Sequence, residues 1–177
     1  MKKVFLTIAI CFAGLATFAQ SRPLGSELSV GAEAALPVGD LKNGTNFGFG
    51  ATLKYAYNFD ETIAATLQSG YLYFPGKDLG GGNKINGSQI PLKAGVRYSI
   101  GQFYIEPQLG VSFLHNSASG PNLGGSSNTS AFTYAGGIGV LATQNFDIGF
   151  RYEGMSKNGA TNSFLGLRLA YVFPLGK

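Results

Sequence analysis

A chain of 177 residues with 27 Gly, 14 Phe, 9 Tyr, no Trp and only 12% charged residues departs from soluble domains, about a quarter of whose residues are charged. A formal net charge of +4 is too small to point to nucleic acid, and one cysteine excludes both an intrachain disulfide and a Cys/His metal site. Water is therefore not expected to cover the whole of its surface.

Residues 1–19 read as a secretory signal peptide. Lys2 and Lys3 open it, Val4 to Ala16 is almost wholly apolar, and Thr17-Phe18-Ala19 offers small residues at the two positions a signal peptidase reads. Its apolar core is too short to span a bilayer, and Cys11 follows Ile10, which does not suit a lipoprotein site. Residues 20–177 are expected to form one domain. Nothing in them approaches the roughly 18 consecutive apolar residues of a membrane helix.

From residue 20 onward helical periodicity gives way to alternation of period two. Phe47-Gly48-Phe49-Gly50-Ala51-Thr52-Leu53-Lys54-Tyr55-Ala56-Tyr57-Asn58-Phe59 puts every apolar or aromatic residue on one face and every small or polar one on the other. The pattern recurs near 27–36, 62–74, 89–100, 103–114, 131–142, 146–155 and 163–173, which predicts eight antiparallel strands. Each is near the 9–11 or so residues that a tilted strand needs to cross a bilayer. Asp60-Glu61, Ile100-Gly101-Gln102 and Thr143-Gln144-Asn145 make short turns; residues 37–46, 75–88, 115–130 and 156–161 make longer loops. Such alternation predicts an up-and-down transmembrane barrel with both termini on the short-turn, periplasmic side. Pro107, which lacks a ladder donor, predicts a bulge or irregular hydrogen bonding within its strand.

Glu27, Glu33, Lys54, Lys93, Arg97, Glu106, Asp147, Arg151, Glu153 and Arg168 all fall on the face opposite the aromatic one. A charge on the lipid face costs about 2–4 kcal/mol near the midplane, so a bilayer enforces this segregation. Of the Phe and Tyr beyond residue 20, only Phe74, Tyr104 and Phe164 lie on the polar face. An eight-strand barrel is filled by its own side chains and could not hold the other aromatics inside. That argues against the inverted arrangement, a soluble lipocalin-like barrel. Counted from the short turns, Glu33, Lys54, Arg151 and Arg168 come out at similar heights, so Glu33 is expected to pair with Arg168, Lys54 or both. Gly154 and Ser163 fit the lipid face poorly.

Several segments resemble the small, porin-like outer-membrane protein β-barrel domain family. They are Gly31 to Asp40 with its Leu-Pro-x-Gly-Asp turn, Ile90-Pro91-Leu92-Lys93-Ala94-Gly95-Val96-Arg97-Tyr98, and Tyr104-Ile105-Glu106-Pro107-Gln108-Leu109-Gly110. Leu165-Gly166-Leu167-Arg168-Leu169-Ala170-Tyr171-Val172-Phe173 is similar to the terminal strand read by the barrel-assembly machinery, although Pro174 to Lys177 run past its closing aromatic. The resemblance implies an integral protein of the bacterial outer membrane. Its partners would be outer-membrane lipid, lipopolysaccharide and, during biogenesis, the assembly machinery. It implies no defined activity and no cofactor.

His115-Asn116-Ser117 resembles the His-x-Ser of lipid A deacylase barrels, but Ala118 departs from that pattern and no acid occurs between Glu106 and Asp147. Gly80-Gly81-Gly82 lacks the Gly-Lys-Ser/Thr of a phosphate loop. No catalytic, metal or cofactor residue is therefore assigned. The candidate constellation is the interior charge network of Glu33, Lys54, Lys93, Arg97, Glu106, Asp147, Arg151, Glu153 and Arg168. Its two readings are a plug of ion pairs in a monomeric structural or surface-contact barrel, and a small-solute channel. A lipid A acyl hydrolase stands third.

Overall fold

The computed structural model describes residues 24–176 apart from Leu79 and Asn122, so the signal-peptide segment lies outside the described residues. Eight strands run in chain order: β1 (Gly25–Val38), β2 (Gly48–Asn58), β3 (Ile63–Phe74), β4 (Lys84–Ile100), β5 (Phe103–Gly120), β6 (Leu123–Thr143), β7 (Phe146–Lys157) and β8 (Ala160–Gly176). A single helical turn, α1 (Leu41–Gly44), lies between β1 and β2. Each strand pairs antiparallel with its sequence neighbours, and β1 pairs with β8 from Ser26↔Gly176 to Val38↔Ser163, which closes the barrel. Closure satisfies the backbone without leaving an edge, the condition for a sheet in hydrocarbon.

The outward face carries Val30, Phe49, Leu53, Leu67, Val96, Ile105, Leu109, Ile138, Phe150 and Leu169, all exposed. Alternate residues are buried inside. Phe74, Tyr104 and Phe164, the aromatics on the polar face, are buried to 5% exposure or less. Gly154 and Ser163 are accommodated by neighbouring tyrosines. Gly154 leaves room for the Tyr134 ring, which a Cβ there would approach to 2.5 Å, and Tyr152 Oη donates to Ser163 Oγ at 2.8 Å.

Proline interrupts the ladder on one side only, because a strand residue directs its backbone N–H toward one neighbour. Around Pro107 the β4–β5 pairs step from Gly95↔Gln108 to Tyr98↔Ile105, while Pro107↔Gly136 is kept with β6. The register is the same on both sides, so the irregularity is a gap and not a bulge. Pro91 leaves the matching gap between Ser69↔Leu92 and Leu72↔Gln89.

The long-loop end differs from the expectation. Residues 115–130 and 156–161 are largely strand: β5 and β6 pair out to Gly120↔Leu123, and β4 accompanies β5 as far as Lys84↔Ser119. Beyond Leu114 side chains on both faces are largely exposed, so the apolar alternation that marks a strand loses its cause. The β7–β8 turn is Asn158-Gly159, at φ 51 and 84. Two positive φ values are what a two-residue hairpin needs to match strand twist.

Candidate functional site

The interior begins with residues whose direction the pleat sets. Glu27, Glu33, Lys54, Lys93, Arg97, Glu106, Asp147, Arg151, Glu153 and Arg168 are each no more than 8% exposed. Room for them comes from small inward residues. A Cβ at Gly139 would strike the Tyr104 ring, and one at Gly166 would lie 2.8 Å from Glu33 Oε1 and 3.4 Å from Arg151 Cγ.

Nearer the short turns, Arg97 is the hub. Its guanidinium donates to Glu27 Oε1 at 2.7 Å and Glu106 Oε2 at 2.9 Å, and it lies 4.7 Å from the centre of the Tyr104 ring. Lys54 Nζ crosses the lumen to Glu106 Oε1 at 2.9 Å. Tyr104 Oη donates to Asp147 Oδ1 at 2.6 Å. Asn58, Thr66 and Gln108 donate to the carboxylates of Glu27 and Glu106.

A second group lies further toward the long-loop end. Arg151 makes a forked contact with Glu33, at 2.7 and 2.8 Å, and its Nε donates to Glu153 at 2.9 Å. Lys93 also binds Glu153. Gln89 Nε2 donates to Glu153 Oε1 at 2.6 Å and Ser112 Oγ at 2.8 Å. Buried charges are tolerated when paired and hydrogen-bonded in this way, because desolvation otherwise costs more than the attraction returns.

Arg168 stands between the groups. Its Nε donates to Thr52 Oγ1 at 2.7 Å and its Nη2 to Ser29 Oγ at 2.9 Å, while Nη1 stays 4.0 Å from Asp147 Oδ2. Neither of those last two atoms has a hydrogen-bond partner. A gap of about 30 Å³ lies here, bordered by Gln68, Gln108, Arg151 and Arg168. A gap needs roughly 10–15 Å³ of such space to hold one water molecule, so this one has room for water and for little else.

Glu33 therefore pairs neither with Lys54 nor with Arg168, and the ladder explains both departures. Strands of a closed barrel are staggered, so counting from the turns misplaces heights. Glu33 sits opposite Gly50, four residues from Lys54, or about 13 Å along the strand. Arg168 does sit opposite Glu33, but its guanidinium runs toward Ser29 and Thr52. Arg151 reaches Glu33 because the residue between them on β8, Gly166, has no side chain. A glycine at the inward position next before Arg168 was the available signal.

His115 sits in the β5–β6 extension, where its Nδ1 hydrogen-bonds Asn128 Oδ1 at 2.6 Å. Ser117 is paired across the ladder with Ser126 and Asn86. Above the charges, toward the long-loop end, Ala35, Leu72, Phe74, Ala131, Met155 and Phe164 form an apolar layer inside the barrel, with Leu41 of α1 and Leu114 packed on it. The polar interior is thus topped by a hydrophobic one, which period-two reading did not reveal. Phe74 and Phe164, 5.6 Å between ring centres, were its visible trace.

Among solved structures the chain is similar to Ail, the attachment invasion locus protein of Yersinia pestis, at 18% identity and a TM-score of 0.64, covering 85% of this chain and 100% of that one. Ail in complex with the heparin analogue sucrose octasulfate matches at 19% identity and a TM-score of 0.63, with the same coverage. The N-terminal β-barrel domain of Pseudomonas aeruginosa OprF matches at 13% and 0.56, covering 83% of this chain and 97% of that one. At these identities the likeness establishes the fold. No curated protein matches the sequence. The family model for the outer membrane protein beta-barrel domain matches residues 5–173. With eight strands closed in a ring and an apolar outer face, the chain belongs to that family and is an integral β-barrel of the bacterial outer membrane.

Proposed function

We propose that this barrel serves the outer membrane as a structural, surface-contacting protein with a closed, charge-paired lumen, and that it is not an enzyme. The observation that carries the reading is the pair of ion clusters centred on Arg97 and Arg151, which join strands across the interior and leave a gap of only about 30 Å³ between them. Hydrated ions need a continuous path, and eight strands leave a lumen just wide enough for side chains. Both termini are assigned to the periplasm, with α1, the 75–83 loop and the β4–β5–β6 extension outside. Lys42, Lys84 and Lys157 are exposed at that end, which suits contact with lipopolysaccharide phosphates. A monomer inserted by the barrel-assembly machinery, with no nucleic-acid partner, completes the reading.

Planar-bilayer recording tests it. The purified barrel should give no discrete conductance steps in KCl. Reproducible ohmic steps would favour the small-solute channel, for which the loose Arg168–Asp147 contact offers the opening point. The hydrolase reading requires an acid beside His115, whose ring is instead held by Asn128, and acyl release from lipid A should be absent.

A further inference from the structure

Strands β4, β5 and β6 run on past the end of β7, and the sheet they form has two edges that differ. The β4 edge is covered. Asp78 bridges to Lys84, Gly76 N donates to Asn86 Oδ1 at 2.9 Å, and a Cβ on Gly76 would come within 2.1 Å of Ile85 O. The β6 edge is open. β7 pairs with β6 only from Phe132↔Ser156 to Thr143↔Phe146, and among the described residues no strand pairs with Gly124 to Ala131 on that side.

Which backbone groups are open follows from parity. A strand residue sends its N–H and C=O to one side, and the next residue sends them to the other. Leu141 N donates to Gln102 O on the β5 side, and the β5–β6 register is unbroken from Phe103↔Val140 to Gly120↔Leu123. Odd-numbered residues of β6 therefore bond β5, while Ser126, Asn128 and Ser130 turn their N–H and C=O to the empty side. Pro107 agrees with this assignment, since it breaks the ladder toward β4 and keeps its pairing with Gly136.

Native sheets guard such an edge with proline, charge, a bulge or a cover, as the β4 side is guarded here. Ser126 to Ala131 carries no proline, no charge and no register shift toward β5. Its six residues span about 20 Å. A row of alternating donors and acceptors matches the backbone of another extended chain. A second barrel in the same membrane does not supply it. Rotation about the membrane normal leaves both β6 strands running toward the membrane, so their edges cross at twice the strand tilt, roughly 70–90°. The charged residue beside the open edge is Lys157 at the end of β7, exposed, with its Nζ on Thr129 Oγ1.

We propose that Ser126 to Ser130 takes up an extended segment of an extracellular polypeptide as an added strand, with an acidic side chain set next to Lys157. The inference deepens the surface-contact reading and rests on its placing this end outside.

The full barrel, ¹⁵N-labelled and folded in phospholipid nanodiscs, would be titrated with the peptide Asp-Thr-Val-Thr-Val-Thr-Asp while amide exchange is followed residue by residue. A nanodisc leaves both ends accessible, so this result does not depend on which end faces outward in cells; cell-surface labelling decides that separately. Saturable protection should appear at Ser126, Asn128 and Ser130, while Ser127 and Thr129, already bonded to β5, change little. The peptide with Lys in place of both Asp should bind about fivefold more weakly, the upper range for one exposed ion pair. Lys157→Glu, which leaves the backbone untouched, should reverse that preference. Ser126→Pro/Ser130→Pro removes two open N–H donors and no bond to β5. It should abolish binding with Ser127 and Thr129 still protected. Protection of the three open amides before peptide is added would mean that the chain or a second copy already covers the edge, and would overturn the proposal. So would protection without alternation, equal binding of the two peptides, undiminished binding by the proline variant, or no saturable effect.

Discussion

Glu33 faces Arg168 across the β1–β8 ladder, yet its carboxylate is held by Arg151 from β7, through contacts of 2.7 and 2.8 Å that pass over Gly166. The hydrogen-bonded neighbour and the electrostatic partner are different residues. In a narrow lumen a long side chain reaches across strands, and which way it runs depends on where a neighbour is missing.

This relationship sets a coupling experiment. Glu33→Gln should destabilise the folded barrel in urea, because Arg151 keeps its charge and loses its forked partner; such a loss amounts to about 3–5 kcal/mol where water is excluded. The double variant Glu33→Gln/Arg151→Gln should lose less than the sum of its singles, whereas Glu33→Gln/Arg168→Gln should be close to additive. Coupling to Arg168 instead would move the pair back to the ladder neighbours.

Tyr104 is fixed by its hydroxyl on Asp147 and its ring against Gly139. Tyr104→Phe should cost about 1.5–3 kcal/mol in unfolding free energy, the range for a hydrogen bond to a charged acceptor. Gly139→Val should cost more, since a branched side chain there displaces the ring from both Asp147 and Arg97. A Gly139→Val barrel as stable as the parent in urea would show that the notch is not needed.

Topology is open to labelling from outside, because residues 20–177 contain no cysteine. Ser119→Cys, near the tip of the β5–β6 extension, should react with a membrane-impermeant maleimide on intact cells. Glu61→Cys, in the β2–β3 turn, should react only after the outer membrane is opened. The reverse pattern would place the termini outside.

Sorting of side chains between lumen and lipid was legible in the sequence, because a pleated strand alternates faces without reference to any distant residue. From Phe49, Lys54, Glu106 and Leu109 alone one can read a sheet wet on one face and greasy on the other, and hence a barrel. The strand extensions were not legible: Asn116 to Gly120 and Gly124 to Ser130 are largely exposed on both faces, so no apolar period marks them, although Asn158-Gly159 did carry its hairpin signal. Partner choice inside the lumen lay further out of reach. Stagger puts Glu33 opposite Gly50, and the empty position at Gly166 sends Arg151 across β8; both depend on how the ring closes. The apolar layer under α1 is likewise tertiary, since it gathers Leu41, Phe74, Leu114 and Met155 from four separate elements. Period two sorts residues to a face, and only closure of the sheet decides which of them meet.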